Sequence, residues 1–236
     1  MKNVILTLIF LLCVSAQARP MEAYILYNVD EGKIVTSKNA NDIGSVASLT
    51  KLMTAMVALD NNKETDRRIL ERLLIRSDNQ AAMQLAKNHP GGYSAFIKAM
   101  NDKATKIGLI DTKYRDPSGL DPYNSSTVAE YSRIVIEADK YPVIREISST
   151  AEKRVPIVKK SKRKKKTYYK VLRNTNSLLL NEYDNIALSK TGFTNSAGRC
   201  LALVVEGTKK HVIVILGEPT PIKRAKIARE LIAMVR

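Results

Sequence analysis

Apolar and polar positions follow a strand rhythm at the two ends of the chain and a helix rhythm in its middle. The run AYILYNVDEGKIVTSK, residues 23–38, holds two β-rich segments around Asp30-Glu31-Gly32 and predicts a hairpin. CLALVVEGTKKHVIVILGE, residues 200–218, predicts a second, and its two unbroken apolar runs look like strands covered on both faces. Between them, helices are predicted over 49–60, 64–75, 78–87, 93–107 and 128–140. The last opens with Thr127-Val128-Ala129-Glu130, a capping box in which each side chain satisfies an N–H group left over at the helix start. Asp116-Pro117-Ser118-Gly119 and Asp121-Pro122 read as turns just ahead of it. The C-terminal PIKRAKIARELIAMVR sets Ile222, Ala225, Ala228, Leu231, Ile232 and Val235 on one face. A helix lying on a membrane surface has the same pattern. Two strands buried on both faces need a helical cover, which favours a domain helix packed on the sheet.

This order implies an antiparallel sheet built from both chain ends with a helical subdomain, at about 49–140, inserted between them. The class is α/β in the α+β sense, and the seam between sheet and helices is the expected place for a site. At 236 residues with 44% hydrophobic and 26% charged content, residues 19–236 fit one domain.

The first residues, Met-Lys-Asn followed by VILTLIFLLCV and Ser-Ala-Gln-Ala, have the charge, apolar core and small-residue end of a cleaved export signal over 1–18. The expected location is therefore periplasmic or extracytoplasmic. Cys13 leaves with that signal and Cys200 stays single, so stability has to come from packing. His89 and His211 have no metal-ligand spacing around them, and neither a metal nor a cofactor is expected. The formal charge of +16 is local: eleven Lys or Arg and no acid lie between Lys153 and Arg173. The densest tract, KKSKRKKK from Lys159 to Lys166, fits a solvated loop tip between strands. It also fits an anionic envelope polymer or membrane surface; the export signal argues against nucleic acid.

Within the apolar stretch SVASLTKLMTAMVALD, Lys51 stands three residues after Ser48. On a helix that spacing lets the amine reach back to the hydroxyl, although a capping serine and a lysine snorkelling to solvent have the same pattern. Two further segments narrow the choice. Ser77-Asp78-Asn79 opens a predicted helix, and Lys190-Thr191-Gly192 lies in an apolar strand whose glycine lets another backbone come close. S-x-x-K, S-D-N and K-T-G in that order are the motif set of penicillin-binding proteins and serine β-lactamases.

The chemistry needs each part. A serine attacks an amide only if a base takes its proton, and a lysine serves near pH 7 only if its pKa falls by roughly three units from about 10.4. Burial, a helix N-terminus and a second cation at Lys190 all push that way. Ser77 is placed to relay the proton to the leaving amine and Asn79 to orient Lys51 and the substrate amide. Lys190 and Thr191 suit a peptide's terminal carboxylate, and the backbone N–H groups of Ser48 and Phe193 suit an oxyanion hole.

On these residues, together with DPSGLDPYNSST, RNTNSLLL and KTGFTNSAGRC, the chain from Ala23 to Glu218 resembles the low-molecular-mass penicillin-binding proteins. These are serine D-Ala-D-Ala peptidases. HPGGYSAFIKAMN is most like their D-alanyl-D-alanine endopeptidase branch. The resemblance implies a β-lactamase-like fold, peptidoglycan peptides as substrate and covalent inhibition by β-lactams. It implies Ser48 as nucleophile, Lys51 as proton acceptor, Ser77 as a second catalytic residue and Lys190 as a substrate contact. The motifs do not separate endopeptidase from carboxypeptidase, and a β-lactamase or a catalytically silent envelope-binding protein shares the same layout. Only 29 positions separate Ser48 from Ser77, which implies that one wall of the cleft is cut down relative to the family.

Overall fold

The computed structural model of the protein describes residues 20–62, 64–160 and 165–235. The export signal read over 1–18 lies outside the described residues, as do 161–164 of the lysine tract. Both expected hairpins are present: β1 (Ala23–Asn28) with β2 (Lys33–Lys38), and, at the other end, β8 (Gly198–Glu206) with β9 (Lys210–Glu218). They join edge to edge, Ile25 opposite Val214. With β7 (Ile186–Thr194) they make a five-stranded antiparallel sheet in the order β2-β1-β9-β8-β7. The edge strand β2 carries Lys33 and Lys38 and is mostly exposed, which discourages pairing with another chain.

Side-chain alternation sends each central strand to two cores. On one face Ile25, Ala202, Val204, Val212 and Val214 pack under the helices. On the other, Leu26, Leu201, Leu203, Ile213 and Ile215 pack under α8 (Pro221–Ala233), which contributes Ala228, Leu231 and Ile232. Burying Leu231 and Ile232 contributes about 1.5–3 kcal/mol each. The C-terminal helix is thus a cover for the sheet, but its apolar face is shorter than the sequence suggests: Ile222 is 80% exposed in the first turn.

The middle of the chain folds into helices around α1 (Lys51–Asn61), in which Lys51 to Leu59 are all buried. Around it stand α2 (Arg67–Ile75), α3 (Asn79–Lys87), α4 (Gly92–Lys106) and α5 (Val128–Asp139). Helix α2 starts three residues later than expected. Asn62 accepts from the Glu64 N–H, and the Thr65 hydroxyl donates to the Ala58 and Asn62 carbonyls, so local turn bonds displace the first helical turn. Asp66 then caps it, accepting from the Arg68 N–H at 2.9 Å. The capping box on α5 is half formed. Thr127 accepts from the Glu130 N–H at 3.0 Å, but the Glu130 carboxylate turns away to accept from the Ile110 and Asp111 N–H groups and the Thr112 hydroxyl.

Pattern reading did not resolve α6 (Pro142–Ser149), α7 (Ser177–Glu182) or the small pair β3 (Gly44–Ser45) with β4 (Ser125–Ser126). The basic region forms a separate hairpin, β5 (Glu152–Lys160) with β6 (Lys165–Arg173), so the lysine tract spans its tip. Among the described residues, no helix is long and apolar enough to cross a membrane.

Candidate active site

Ser48 lies in a 3-10 turn, Ala47–Thr50, that runs into α1. It is not the helix cap, because no side chain caps either the turn or α1. The residue before it, Ala47, has φ +45, a left-handed conformation that a residue with a Cβ adopts only when its surroundings impose it. Three contacts do so. The Tyr131 hydroxyl donates to the Leu49 carbonyl at 2.6 Å from inside the core. The Val46 N–H donates to the Asn124 carbonyl. Gly119, at φ +82, sits so close that an added Cβ would be 1.9 Å from the Ala47 oxygen. Strand β7 closes the other side, where a Cβ on Gly192 would stand 3.1 Å from the Ser48 nitrogen.

Lys51, in the first turn of α1, is 0% exposed. Its Nζ lies 2.8 Å from Ser48 Oγ, 2.7 Å from Asn79 Oδ1 and 2.5 Å from the Ser118 carbonyl. The snorkelling alternative is therefore excluded. Burial pushes its pKa down to about 7, against the opposing pull of Asp116 and Asp78. The sequence reading credited part of this depression to Lys190. Burial is the leading cause for Lys51, and Lys190 is itself held well below the usual lysine range, first by burial and then by the charges of Lys51 and Arg224.

Lys51 Nζ donates to Asn79 Oδ1, to the Ser118 carbonyl and to Ser48 Oγ, and once the amine gives up a proton its lone pair faces the Ser48 hydroxyl. Each of those acceptors is fixed in turn. Asp78 caps α3, accepting from the Gln80 and Ala81 N–H groups and from Arg72, so Asn79 sits at the first position of a rigid helix. The Asp116 carboxylate accepts from the Ser118 N–H and hydroxyl and from the Gly119 and Asp121 N–H groups, which folds the turn that aims the Ser118 carbonyl at Lys51. Thr54 and Asn124 donate to the Pro117 and Asp116 carbonyls and tie that turn to α1 and its own loop.

Ser77 belongs to a second pair. It sits in the turn between α2 and α3 with φ +56, and Lys190 Nζ donates to its Oγ at 2.8 Å and to the Thr191 carbonyl at 2.7 Å. The Thr191 hydroxyl is held by Thr175 at 2.6 Å. Ser48, Ser77, Thr191 and Phe193 line one cavity of about 350 Å³ with Thr175, Arg199 and Arg224. The Phe193 ring is half exposed and lies under the Arg199 guanidinium, 3.7 Å from its centroid.

All seven residues singled out from the motifs, Ser48, Lys51, Ser77, Asn79, Lys190, Thr191 and Phe193, thus converge on one seam between sheet and helices. Sequence reasoning missed the parts that hold them: Asp116 and Ser118, which it read as a plain turn, and Asn124, Thr175, Arg199 and Arg224. The Asp-Pro-Ser-Gly string was the available signal, since an aspartate before Pro-Ser-Gly folds back onto the following N–H groups.

The family described as D-alanyl-D-alanine carboxypeptidase matches this chain over residues 13–67 and 59–220. The two stretches overlap at 59–67, between Ser48 and Ser77, in the segment read above as shortened. A D-alanyl-D-alanine endopeptidase of Pseudomonas aeruginosa is 38% identical over 200 residues, 73% of this chain and 63% of the relative. One from Escherichia coli is 34% identical over 220 residues, 81% of this chain and 69% of the relative. The chain thus spans less than two thirds of the Pseudomonas relative's length. Among solved structures, penicillin-binding protein D2 of Listeria monocytogenes in its cefotaxime-bound form superposes with TM-score 0.74 at 27% identity, covering 89% of this chain and 95% of that one.

Proposed function

The chain belongs to the D-alanyl-D-alanine carboxypeptidase family, and from that premise we propose that it is a serine DD-peptidase that cuts D-Ala-containing bonds of peptidoglycan, with the endopeptidase reaction favoured. The observation that carries this reading is the Ser48 hydroxyl 2.8 Å from a fully buried Lys51 amine whose pKa is pushed down to about 7. Neutral Lys51 takes the Ser48 proton as Oγ adds to the scissile carbonyl. The oxyanion that forms is received by the backbone N–H groups of Ser48 and Phe193. Ser77, with Lys190 behind it, relays the proton held by Lys51 to the departing amine; water then adds to the acyl group, Lys51 takes the water's proton and returns it to Ser48 Oγ as the ester breaks. Thr191 and Lys190 receive a carboxylate of the peptide, and Asn79 orients its amide. The preference for endopeptidase chemistry rests on the endopeptidase relatives at 34% and 38% identity.

Such a substrate requires export, which the residue pattern at 1–18 supports. The hairpin β5–β6 supports a contact with an anionic envelope polymer. The lysine-rich sequence from Lys159 to Lys166 supplies the positive charge that such a contact needs.

Fluorescent penicillin tests the nucleophile: the wild type is expected to carry a covalent label and Ser48→Ala none. Equal labelling of the two removes Ser48 from the reaction. Digestion of purified sacculi then separates the two activities, since an endopeptidase depletes cross-linked muropeptide dimers and a carboxypeptidase only shortens monomers.

A further inference from the structure

The α2–α3 turn has a second cavity on its far side, outside the cleft described above. Ser77 lines the cleft, while its two neighbours, Arg76 and Asp78, line a groove of about 410 Å³ between α2 and the β5–β6 hairpin. The same two strands of chain bound both spaces: Thr175 lines the cleft and Leu172 lines the groove, and the Thr175 N–H donates to the Ile75 carbonyl between them. The α2–α3 turn therefore bounds both spaces, with Ser77 on one side and Arg76 and Asp78 on the other.

Its lining is basic, with Arg68, Arg72, Arg76 and Lys170 against Glu71 and Asp78. The two acids are already committed. Glu71 accepts from Lys153 at 2.5 Å and from Arg67 at 3.2 Å. Asp78 is occupied by Arg72 and by the first N–H groups of α3. Arg68 has only the exposed partner Asp66, a contact worth little in water. The side chains of Arg76 and Lys170 are exposed and have no hydrogen-bond or ion-pair partner among the described residues. The floor is apolar, made by Val155, Pro156 and the buried Leu172. Unpaired cations over an apolar floor suit a flexible chain that carries carboxylates beside aliphatic stretches.

We infer that this groove is a specificity subsite for the acidic peptide stem of a cross-linked substrate, with Arg76 and Lys170 reading its free carboxylates. The inference rests on the DD-peptidase reading and adds the feature of the substrate that this chain selects.

The test compares two cross-linked muropeptide dimers that differ only in whether the stem carboxylates are free or amidated. Covalent labelling by fluorescent penicillin, which has no peptide stem, is followed in parallel. The wild type is expected to show a KM about 10-fold lower for the free-carboxylate dimer, equivalent to about 1.4 kcal/mol. Arg76→Gln/Lys170→Gln is expected to bring the ratio close to one, and Arg76→Glu/Lys170→Glu to invert it. Penicillin labelling of each variant shows that it is folded. A wild type that does not discriminate overturns the inference, as does a labelled double variant that keeps the preference. A wild type that penicillin fails to label at Ser48 overturns the DD-peptidase reading instead.

Discussion

The two sides of the α2–α3 turn treat positive charge in opposite ways. On the cleft side, Lys51 and Lys190 are 0% and 1% exposed and are surrounded by acceptors at 2.5–2.8 Å. On the groove side, the side chains of Arg76 and Lys170 are exposed and without partners among the described residues. Desolvation penalises the charged form, so burial turns a lysine from a cation into a base. Exposure leaves a cation a cation and makes it useful only for meeting an anion. Solvent access therefore decides the chemistry of lysines that are alike in sequence.

The largest break in this contrast comes from removing the buried amine. Lys51→Met fills a similar volume without a proton acceptor, and its acylation rate by penicillin is expected to fall by about 10³-fold. In the wild type the rate should rise as pH passes about 7, because the active form of Lys51 is the deprotonated one. Stability carries the same sign. The folded pKa lies below the unfolded value, so between about pH 7 and about pH 10 the unfolded chain binds the extra proton and unfolding becomes harder as pH rises. Urea unfolding of the wild type and Lys51→Met at two pH values within that window should show a steeper rise for the wild type, by up to about 1.4 kcal/mol per pH unit. Parallel pH dependences would mean that Lys51 is charged in its pocket.

Why the motif residues were legible and their supports were not follows from the same physics. Lys51 and Lys190 break the hydrophobic pattern of the elements that carry them, and with Ser48, Ser77 and Asn79 they fall into three motifs in a fixed order, which can be seen without a structure. The two terminal hairpins and α5 were legible because period and turn residues agree. Glu130 acts through the Ile110 and Asp111 N–H groups of a loop brought to it by folding, and Asp116 through N–H groups of its own turn; periodicity reports neither, and only the Asp-Pro-Ser-Gly string signals the second. Helix α6 was missed for a different reason: eight residues with Pro142 at the start carry too weak a period to stand out, whereas the strands on either side of the lysine tract were among the readings of that tract.

A smaller break leaves Lys51 in place and disturbs its acceptor. In Gly119→Ala the new Cβ meets the Ala47 carbonyl at 1.9 Å, and an alanine at φ +82 is strained in addition. Either Ala47 gives way, moving Ser48, or the turn gives way, moving the Ser118 carbonyl off Lys51. Displacements of this order cost about 10²-fold in rate. The acylation rate should drop accordingly, and if the turn is what moves, the pH at which the rate rises should shift as well. Asp116→Asn tests the same turn from outside the contact, since an amide cannot accept from all four donors that the carboxylate holds.

The smallest expected effect separates the two regions by salt. Raising ionic strength from about 0.01 M to about 0.15 M shortens the screening length from about 30 Å to about 8 Å and weakens exposed charge contacts far more than buried ones. Two exposed contacts at about 0.3 kcal/mol each give about a three-fold rise in KM for a free-carboxylate dimer, and little change for the amidated one. Penicillin carries a carboxylate too, yet its labelling rate should be nearly flat over the same range, because Thr191 and Lys190, the groups proposed to receive it, are 6% and 1% exposed. A salt response shared by penicillin and the dimer would place the sensitive cations inside the cleft, and the distinction between a buried base and an exposed anion reader would fail at that point.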